Sequence, residues 1–401
     1  MPESSTSFNW PRFIASAYGP TFLSSIGYGA VLPLVALTAL HLGASVAMSA
    51  LLMGILGVGQ LVADLPASWV ATKLGERKAI AVACVWDAVW LFVAFQASSF
   101  IVLTGAVFCL GLSAAIFGLA RQSYVTEAVP LNFRARALSS LGGVFRIGAF
   151  VGPLVGAAIV AQWNLQAAYA FASLMCLFAA VVTMFLPELP QDVRTRQAGP
   201  SGGPKLFTIL RANLRVLATL GLGAMSIHIV RSVRQTVVPL WCASLGLDPS
   251  QTSLIYAISM GVDMSLFFLG GLIMDRFGRM WVAVPSMIVL GVGLACLALT
   301  QSAVGVIIVA IILGFGNGIG AGIVMTLGSD ASPDFGRAQF LSGWRLVGDC
   351  GQSVGPLLLS GITTLFSLTV ATVGLGGLAL VGAGWLGYWI HHSVIGQVHK
   401  H

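Results

Sequence analysis

An all-α membrane protein with twelve transmembrane helices in two pseudo-symmetric six-helix bundles is the fold this sequence predicts, on three observations. The 401 residues are 57% hydrophobic and only 8% charged, with a mean hydropathy of +0.93, whereas ordinary soluble domains carry about 25% charged residues. Twelve apolar runs are each long enough for a bilayer, which asks about 20 residues of a helix. The second half of the chain also repeats the first at one fixed offset. Strands are not expected, because the runs lack period-two alternation, and backbone facing lipid must close its hydrogen bonds within a helix or a sealed barrel.

The runs lie at 13–40, 46–71, 78–96, 100–127, 137–162, 165–186, 212–243, 250–275, 280–299, 302–327, 340–362 and 368–391, and are numbered here as spans 1 to 12. The one long polar connection, "PELPQDVRTRQAGPSGGPKLF" at 187–207, is rich in Pro, Gly and charge and reads as a mobile linker. The expected organisation is therefore an N-terminal bundle at 1–186, a cytoplasmic linker at 187–211 and a C-terminal bundle at 212–401. Basic residues set the orientation. Arg12, Lys73, Arg77, Lys78, Arg134, Arg136, Arg194, Arg196, Lys205, Arg211, Arg215, Arg276, Arg279, Arg337 and Lys400 fall on one side, and the opposite loops hold no Lys or Arg. Both termini are thus expected to be cytoplasmic, in a multi-pass protein of the inner (cytoplasmic) membrane.

The net charge of +7 belongs to this asymmetry and to anionic lipid headgroups rather than to nucleic acid. No cleavable signal peptide is expected, because the first span is too long for an h-region. Cys84, Cys109, Cys176, Cys242, Cys296 and Cys350 are scattered through the spans without pairing or metal spacing, which reads as buried packing. No metal and no cofactor is expected. No nucleotide-binding P-loop is present, so this chain does not itself drive transport with ATP.

An offset of 203 places (356 minus 153) equates Gly75 with Gly278, Gly111 with Gly314, Glu127 with Asp330, Pro130 with Pro333, Arg134 with Arg337, Gly148 with Gly351, Gly152 with Gly355 and Pro153 with Pro356. One register holding over so many positions marks a duplication. Its structural consequence is two similarly folded halves about an axis along the membrane normal, with a substrate path between them near the midplane.

Two segments carry a resemblance. "GLIMDRFGRM", Gly271 to Met280, is similar to the loop after the second helix of a half in the major facilitator superfamily, G-x-x-x-D-R-x-G-R. "GAFVGPLVG", Gly148 to Gly156, is similar to the fifth-helix antiporter motif of that superfamily's drug and metabolite exporters, G-x-x-x-G-P-x-x-G. The resemblance covers essentially the whole chain. It implies that Asp275 and Arg276 latch the halves at a cytoplasmic helix end through an Asp-Arg network and a helix dipole. The N-terminal copy, "SWVATKLGERK", departs from the pattern, with Ser68, Thr72 and Glu76 where the family has Gly, Asp and Arg. In the antiporter motif Gly148, Gly152 and Gly156 share one face and permit close helix contact, and Pro153 frees a backbone carbonyl.

Charges inside spans are costly, about 2.5–3.5 kcal/mol each at a helix centre, so they must face partners or a wet cavity. Arg121, Arg146, Arg231, Arg234 and Arg345 are such residues, with Asp64, Asp87, Asp263 and Asp349. His228, Arg231 and Arg234 recur at three-residue spacing on span 7, which places them along one face. Two readings stay open there: a cationic wall that binds carboxylate or phosphate, or structural pairing with aspartates. Tyr18, Phe22 and Tyr28 on span 1 and Trp344 on span 11 are candidate cavity liners. Span 1 lacks the acid that many drug antiporters of the superfamily carry, which leaves proton coupling to Asp64, Asp87, Asp263, Asp349 or His228; Asp87, in "VWDAVW", reads better as a structural bond.

Depth matching along facing helices adds two expected ion pairs across the halves, Arg146 with Asp263 and Asp64 with Arg345. Both are expected to close the cytoplasmic side and to part when it opens. Together these readings predict a monomeric, proton-coupled exporter of a small amphiphilic or anionic compound, with substrate, protons and membrane lipids as partners. An importer of an organic anion and a lipid flippase of the same fold are the alternatives. A membrane enzyme is not expected, since no paired His or HExxH lies within the spans and His391 and His392 fall in the tail.

Overall fold

The computed structural model describes residues 10–130, 133–186, 206–333 and 335–398. Most of the expected linker, 187–205, lies outside the described residues. The chain runs through α1 Trp10–His41, α2 Val46–Leu74, α3 Glu76–Phe95, α4 Phe100–Ala128, α5 Arg134–Gln162 and α6 Ala167–Met184. A short helix Leu206–Ala212, a turn of helix Leu214–Val216 and a π-helical turn Leu217–Gly221 lead into α7 Leu222–Ser244. Then follow α8 Pro249–Phe277, α9 Met280–Leu297, α10a Ala303–Ile319, α10b Ile323–Asp330, α11 Arg337–Leu365 and α12 Leu368–Val398.

Among the described residues eleven helices are long and apolar enough to cross a membrane, where twelve were expected. The twelfth is α11. Its 29 residues would reach about 43 Å at 1.5 Å per residue, so length is not the reason. Composition is: Arg337, Gln339, Arg345, Asp349 and Gln352 all sit on it, and it packs on α2 and α7.

The duplication is visible in the helix ends. On the face away from the termini, Ser45 caps α2 and Asp248 caps α8, each accepting from the backbone three residues on. Ser99 caps α4 and Ser302 caps α10a in the same way. Each pair is separated by the 203-residue offset. So are the left-handed glycines, Gly43 and Gly246 on the far face and Gly75 and Gly278 on the terminal face, whose φ of 75 to 94° only glycine adopts without strain.

Hydrophobic burial follows the same division. Residues of α7–α12, with Ile209 and Leu220 of the segments leading into α7, form one cluster that Ala36 and Ala50 join from the other half, and those of α1–α6 form three more, which include Leu34 and Tyr169, Tyr124, and Ala115. Within each half the fifth helix packs on the first. A Cβ at Gly152 would lie 2.5 Å from the Ile26 carbonyl oxygen and 2.7 Å from Ala30 N, and one at Gly156 would lie 2.6 Å from the Ala30 carbonyl oxygen. Gly351 and Gly355 press on α7 in the same manner, 2.6 Å from the carbonyl oxygens of Met225 and Ile229. The glycine face read from the sequence is thus a helix contact surface.

The halves meet along α2 with α11 and α5 with α8. On the far side they are tied: Ser360 Oγ donates to the Ala47 carbonyl at 2.7 Å and Ser250 Oγ to the Ala157 carbonyl at 3.0 Å, two bonds related by the 203-residue offset. Gly54 and Gly57 of α2 pack closely on Leu357 and Ser353 of α11. On the terminal side they diverge. A cleft of about 350 Å³ separates Asp64, Ala67 and Leu119 from Gln339, Ser342 and Arg345, and Gly142 and Gly143 of α5 have no atom outside their own stretch of helix within 4 Å of where a Cβ would stand.

Candidate functional site

A cavity of about 260 Å³ lies between the halves at mid-depth, lined by α1, α5, α7, α8, α10a and α11. Its two principal walls come from equivalent positions. α1 supplies Ser25, Tyr28, Gly29 and Leu32, and α7 supplies His228, Arg231, Ser232 and Gln235, each 203 residues further on. The same backbone surface is therefore apolar and hydroxylic on one side and cationic on the other. Arg146, Arg234, Asp263 and Asn317 complete the charged end.

Asp263 is the hub of that end and is only 6% exposed. Arg146 Nη1 donates to its Oδ1 at 2.5 Å across the halves, Arg234 Nη2 stands 3.6 Å from Oδ2, and Asn317 also donates to it. Arg234, itself buried, gives a second bond to Ser259 Oγ at 3.0 Å. Arg231 Nη2 donates to the Gly320 carbonyl at 2.5 Å. That acceptor exists because α10 breaks at Gly320–Gly322 between its two pieces, and irregular backbone at membrane depth persists where it lines a cavity. Two guanidiniums thus contact one carboxylate, and the third, Arg231, lines the same cavity. The Nε atoms of both Arg231 and Arg234 are buried without a hydrogen-bond partner, an arrangement with donors to spare for an anion.

Tyr28 spans two environments. Its ring borders the cavity while its hydroxyl donates to Asp87 Oδ1 at 2.8 Å, so Asp87 holds a cavity residue from the core of the N-terminal half. Tyr18, in contrast, is buried in that core and donates to the Ala137 carbonyl at 3.1 Å. Trp344 is corrected outright as a cavity liner. It is 4% exposed, stacks on Phe340, fits against Gly328 and donates to the Val324 carbonyl at 3.0 Å. Its helix turns it toward α10b, where a glycine leaves room for an indole; the neighbouring Arg345 takes the inter-half position.

Of the two ion pairs expected across the halves, Arg146 and Asp263 meet. They do so while the terminal side is cleft, which departs from the expected closing of that side. For the second, Arg345 Nε lies 3.5 Å from Asp349 Oδ2 on its own helix, and Asp64, one turn along α2 from the Gln60 that bonds Asp349, lines the same cleft as Arg345. The i,i+4 spacing of Arg345 and Asp349 made that local pair available. In the loop after α8, Asp275 and Arg276 are exposed and the recorded ion pair is Arg279 Nε with Asp330 Oδ2 at 2.7 Å, within one half. The N-terminal copy places Glu76 and Glu127 at those two positions. Among the described residues no group of three or more His, Cys, Asp or Glu is placed to hold a metal ion.

Asn317 and the Gly320 carbonyl were not singled out by sequence reasoning. A lone amide within the apolar run "ILGFGNGIG" was the available signal for the first.

A twelve-helix bundle with a charged cavity at its midplane is the architecture of a carrier. The sequence profile of the Major Facilitator Superfamily matches residues 20–333 and 220–398, and the chain belongs to that family. It is a multi-pass secondary active transporter and not an enzyme. No curated protein sequence matches it. Among solved structures it is similar to a mutant of the nucleoside transporter NupG, with a TM-score of 0.78 and 16% identity over 92% of this chain and 98% of that one. A POT family transporter in complex with a thioalcohol conjugated peptide gives 0.77 and 14% over 93% and 94%. The human organic anion transporter TETRAN gives 0.66 and 15% over 94% and 99%. At such identities the likeness is one of fold.

Proposed function

We propose that this transporter moves a small amphiphilic anion by alternating access, coupled to protons and in the direction of efflux. The observation that carries the reading is the excess of three arginines over one carboxylate in a cavity whose opposite wall is uncharged, apolar and hydroxylic. Arg231, Arg234 and Arg146, with His228, hold the anionic end of the substrate, and Tyr28 meets its less polar end. Burying an unpaired guanidinium is expensive, and a bound anion supplies the missing charge. The organic anion carried by TETRAN, as that protein is described, is in keeping with this chemistry.

In the same proposal the bundles 1–186 and 212–401, joined by the 187–211 linker, rock about the site as a monomer. The Arg146–Asp263 bond ties them at mid-depth, Asp64, Arg345 and Asp349 act on the α2–α11 seam, and Asp275 and Arg276 act on the terminal face. Gly148, Gly152, Pro153 and Gly156 fix α5 against α1, as the exporter motif they resemble implies. With both termini cytoplasmic, the terminal-side cleft makes this the inward-facing arrangement. Reconstituted vesicles test the reading: an imposed pH gradient is expected to drive uphill movement of an organic anion opposite to the proton. Movement along with the proton would make it an importer, and no effect of the gradient would remove the coupling.

A further inference from the structure

The two inter-half bonds at mid-depth are equivalent to each other. Arg146 and Asp263 stand at the same repeat positions as Asp349 and Gln60, and Gln60 Nε2 donates to Asp349 Oδ1 at 3.2 Å. The chemistry of the two seams differs. Across α5–α8 a cation meets the carboxylate, but across α2–α11 Asp349 meets a neutral amide, and Asp64, one turn along α2 from Gln60 and lining the same cleft as Arg345, adds a second carboxyl to the seam. Among the described residues Arg345 is the cation in direct contact, 3.5 Å from Asp349. Arg121 of α4 acts on Arg345 only through space and lies over Phe117 and Phe145. His228 of α7 lies against Gly348, and the Cys350 thiol is near both carboxyls. Asp349 is 8% exposed, and one oxygen of each carboxyl, Asp64 Oδ2 and Asp349 Oδ2, is buried without a hydrogen-bond partner.

We infer that Asp64 and Asp349 form a proton-binding site that holds one proton between them, separate from the anion cavity, and that this proton controls how closely α2 and α11 pack. A hydrogen bond between two carboxyl groups needs one O–H donor. The proton comes from water in the terminal-side cleft, which Asp64 and Arg345 both line. It forms one O–H bond on one carboxylate and an O–H···O⁻ bond to the other, taking the pair from −2 to −1, and Arg345 brings the seam to neutrality. On release the proton returns to water and leaves two anions facing one cation across the two halves. That repulsion favours parting of the seam.

This deepens the proton-coupled reading above and rests on it for what the proton drives; the test uses no substrate, so the two fail separately. Infrared difference spectra of the full-length protein at neutral pH are expected to show a protonated carboxylic C=O stretch that is lost in Asp64→Asn and equally in Asp349→Asn. Spin labels on the terminal ends of α2 and α11 should report two distances whose ratio changes with pH, up to tenfold per pH unit for one proton. Each Asn variant should hold the ratio seen in acid. The inference is overturned if the band survives in either variant, or if the distances of the unmodified protein ignore pH, a result that needs no variant to fold.

Discussion

Asp263 is the only acidic residue among the described residues that line the cavity, and replacing it with Asn removes that charge while leaving the side chain's shape nearly unchanged. At an effective dielectric near 20, the attraction between Asp263 and Arg234 at 3.6 Å is about 4–5 kcal/mol, and the Arg146 contact at 2.5 Å is at least as large. Relief of the carboxylate's desolvation cancels much of this. Breaking a buried pair by removing one partner costs about 3–5 kcal/mol, and the 24% exposure of Arg146 places the loss at about 3 kcal/mol or less after discounting for solvent screening. Three guanidiniums then lack a counter-charge. If a bound anion restores about 1.4 kcal/mol of the loss, its affinity rises about tenfold. Thermal unfolding of the purified protein, with and without a titrated organic anion, reads both effects. Asp263→Asn should melt lower without ligand and respond to lower anion concentrations. An unchanged melting temperature without ligand, or a weaker response to anion, refutes the charge accounting.

Other substitutions probe the surroundings of the site. Gly152→Ala should destabilise by about 1–3 kcal/mol, because the added methyl meets backbone of α1 at 2.5–2.7 Å; Gly142→Ala, with open space around it, should be silent in the same unfolding assay. Trp344→Phe should cost about 1 kcal/mol by removing its Nε1–H bond to the Val324 carbonyl while leaving anion affinity unchanged, and a drop in affinity would return Trp344 to the cavity. Asp275→Asn should slow transport more than Thr72→Ala, since Asp275 acts on Arg279 whereas the Thr72 hydroxyl bonds the Ser68 carbonyl of its own helix at 2.8 Å; equal losses would show that the repeated loops are not asymmetric in function.

The helices were legible because span length and apolar periodicity act locally, and their ends fall within a few residues of the runs read from sequence. The Arg146–Asp263 contact was legible too, because facing helices of a duplicated bundle can be matched by depth alone. Rotation about the helix axis was not. Trp344 and Arg345 are adjacent, and only the packing of α11 against Gly328 sends the indole inward and the guanidinium to the seam. Arg345 went to Asp349 rather than Asp64 for a similar reason: a partner one turn away on the same helix competes with one across a seam. The break in α10 at Gly320 lay inside a glycine-rich apolar run that reads equally well as one continuous helix, so the carbonyl it frees for Arg231 was hidden.

The central claim is that the arginines of α7 bind the anionic end of the substrate, and anion-induced thermal stabilisation of Arg231→Ala and Arg234→Ala tests it most directly. A ligand that binds the folded state stabilises it by about 2.7 kcal/mol at a hundred times its dissociation constant, so a panel of small organic anions set against size-matched neutral analogues identifies a stabilising anion in the unmodified protein. The account predicts that at least one anion stabilises, that its neutral analogue does not, and that both variants fold but need at least tenfold more anion for the same shift. Stabilisation by the neutral analogue as strongly as by the anion, or equal anion affinity in the unmodified protein and both variants, would contradict it.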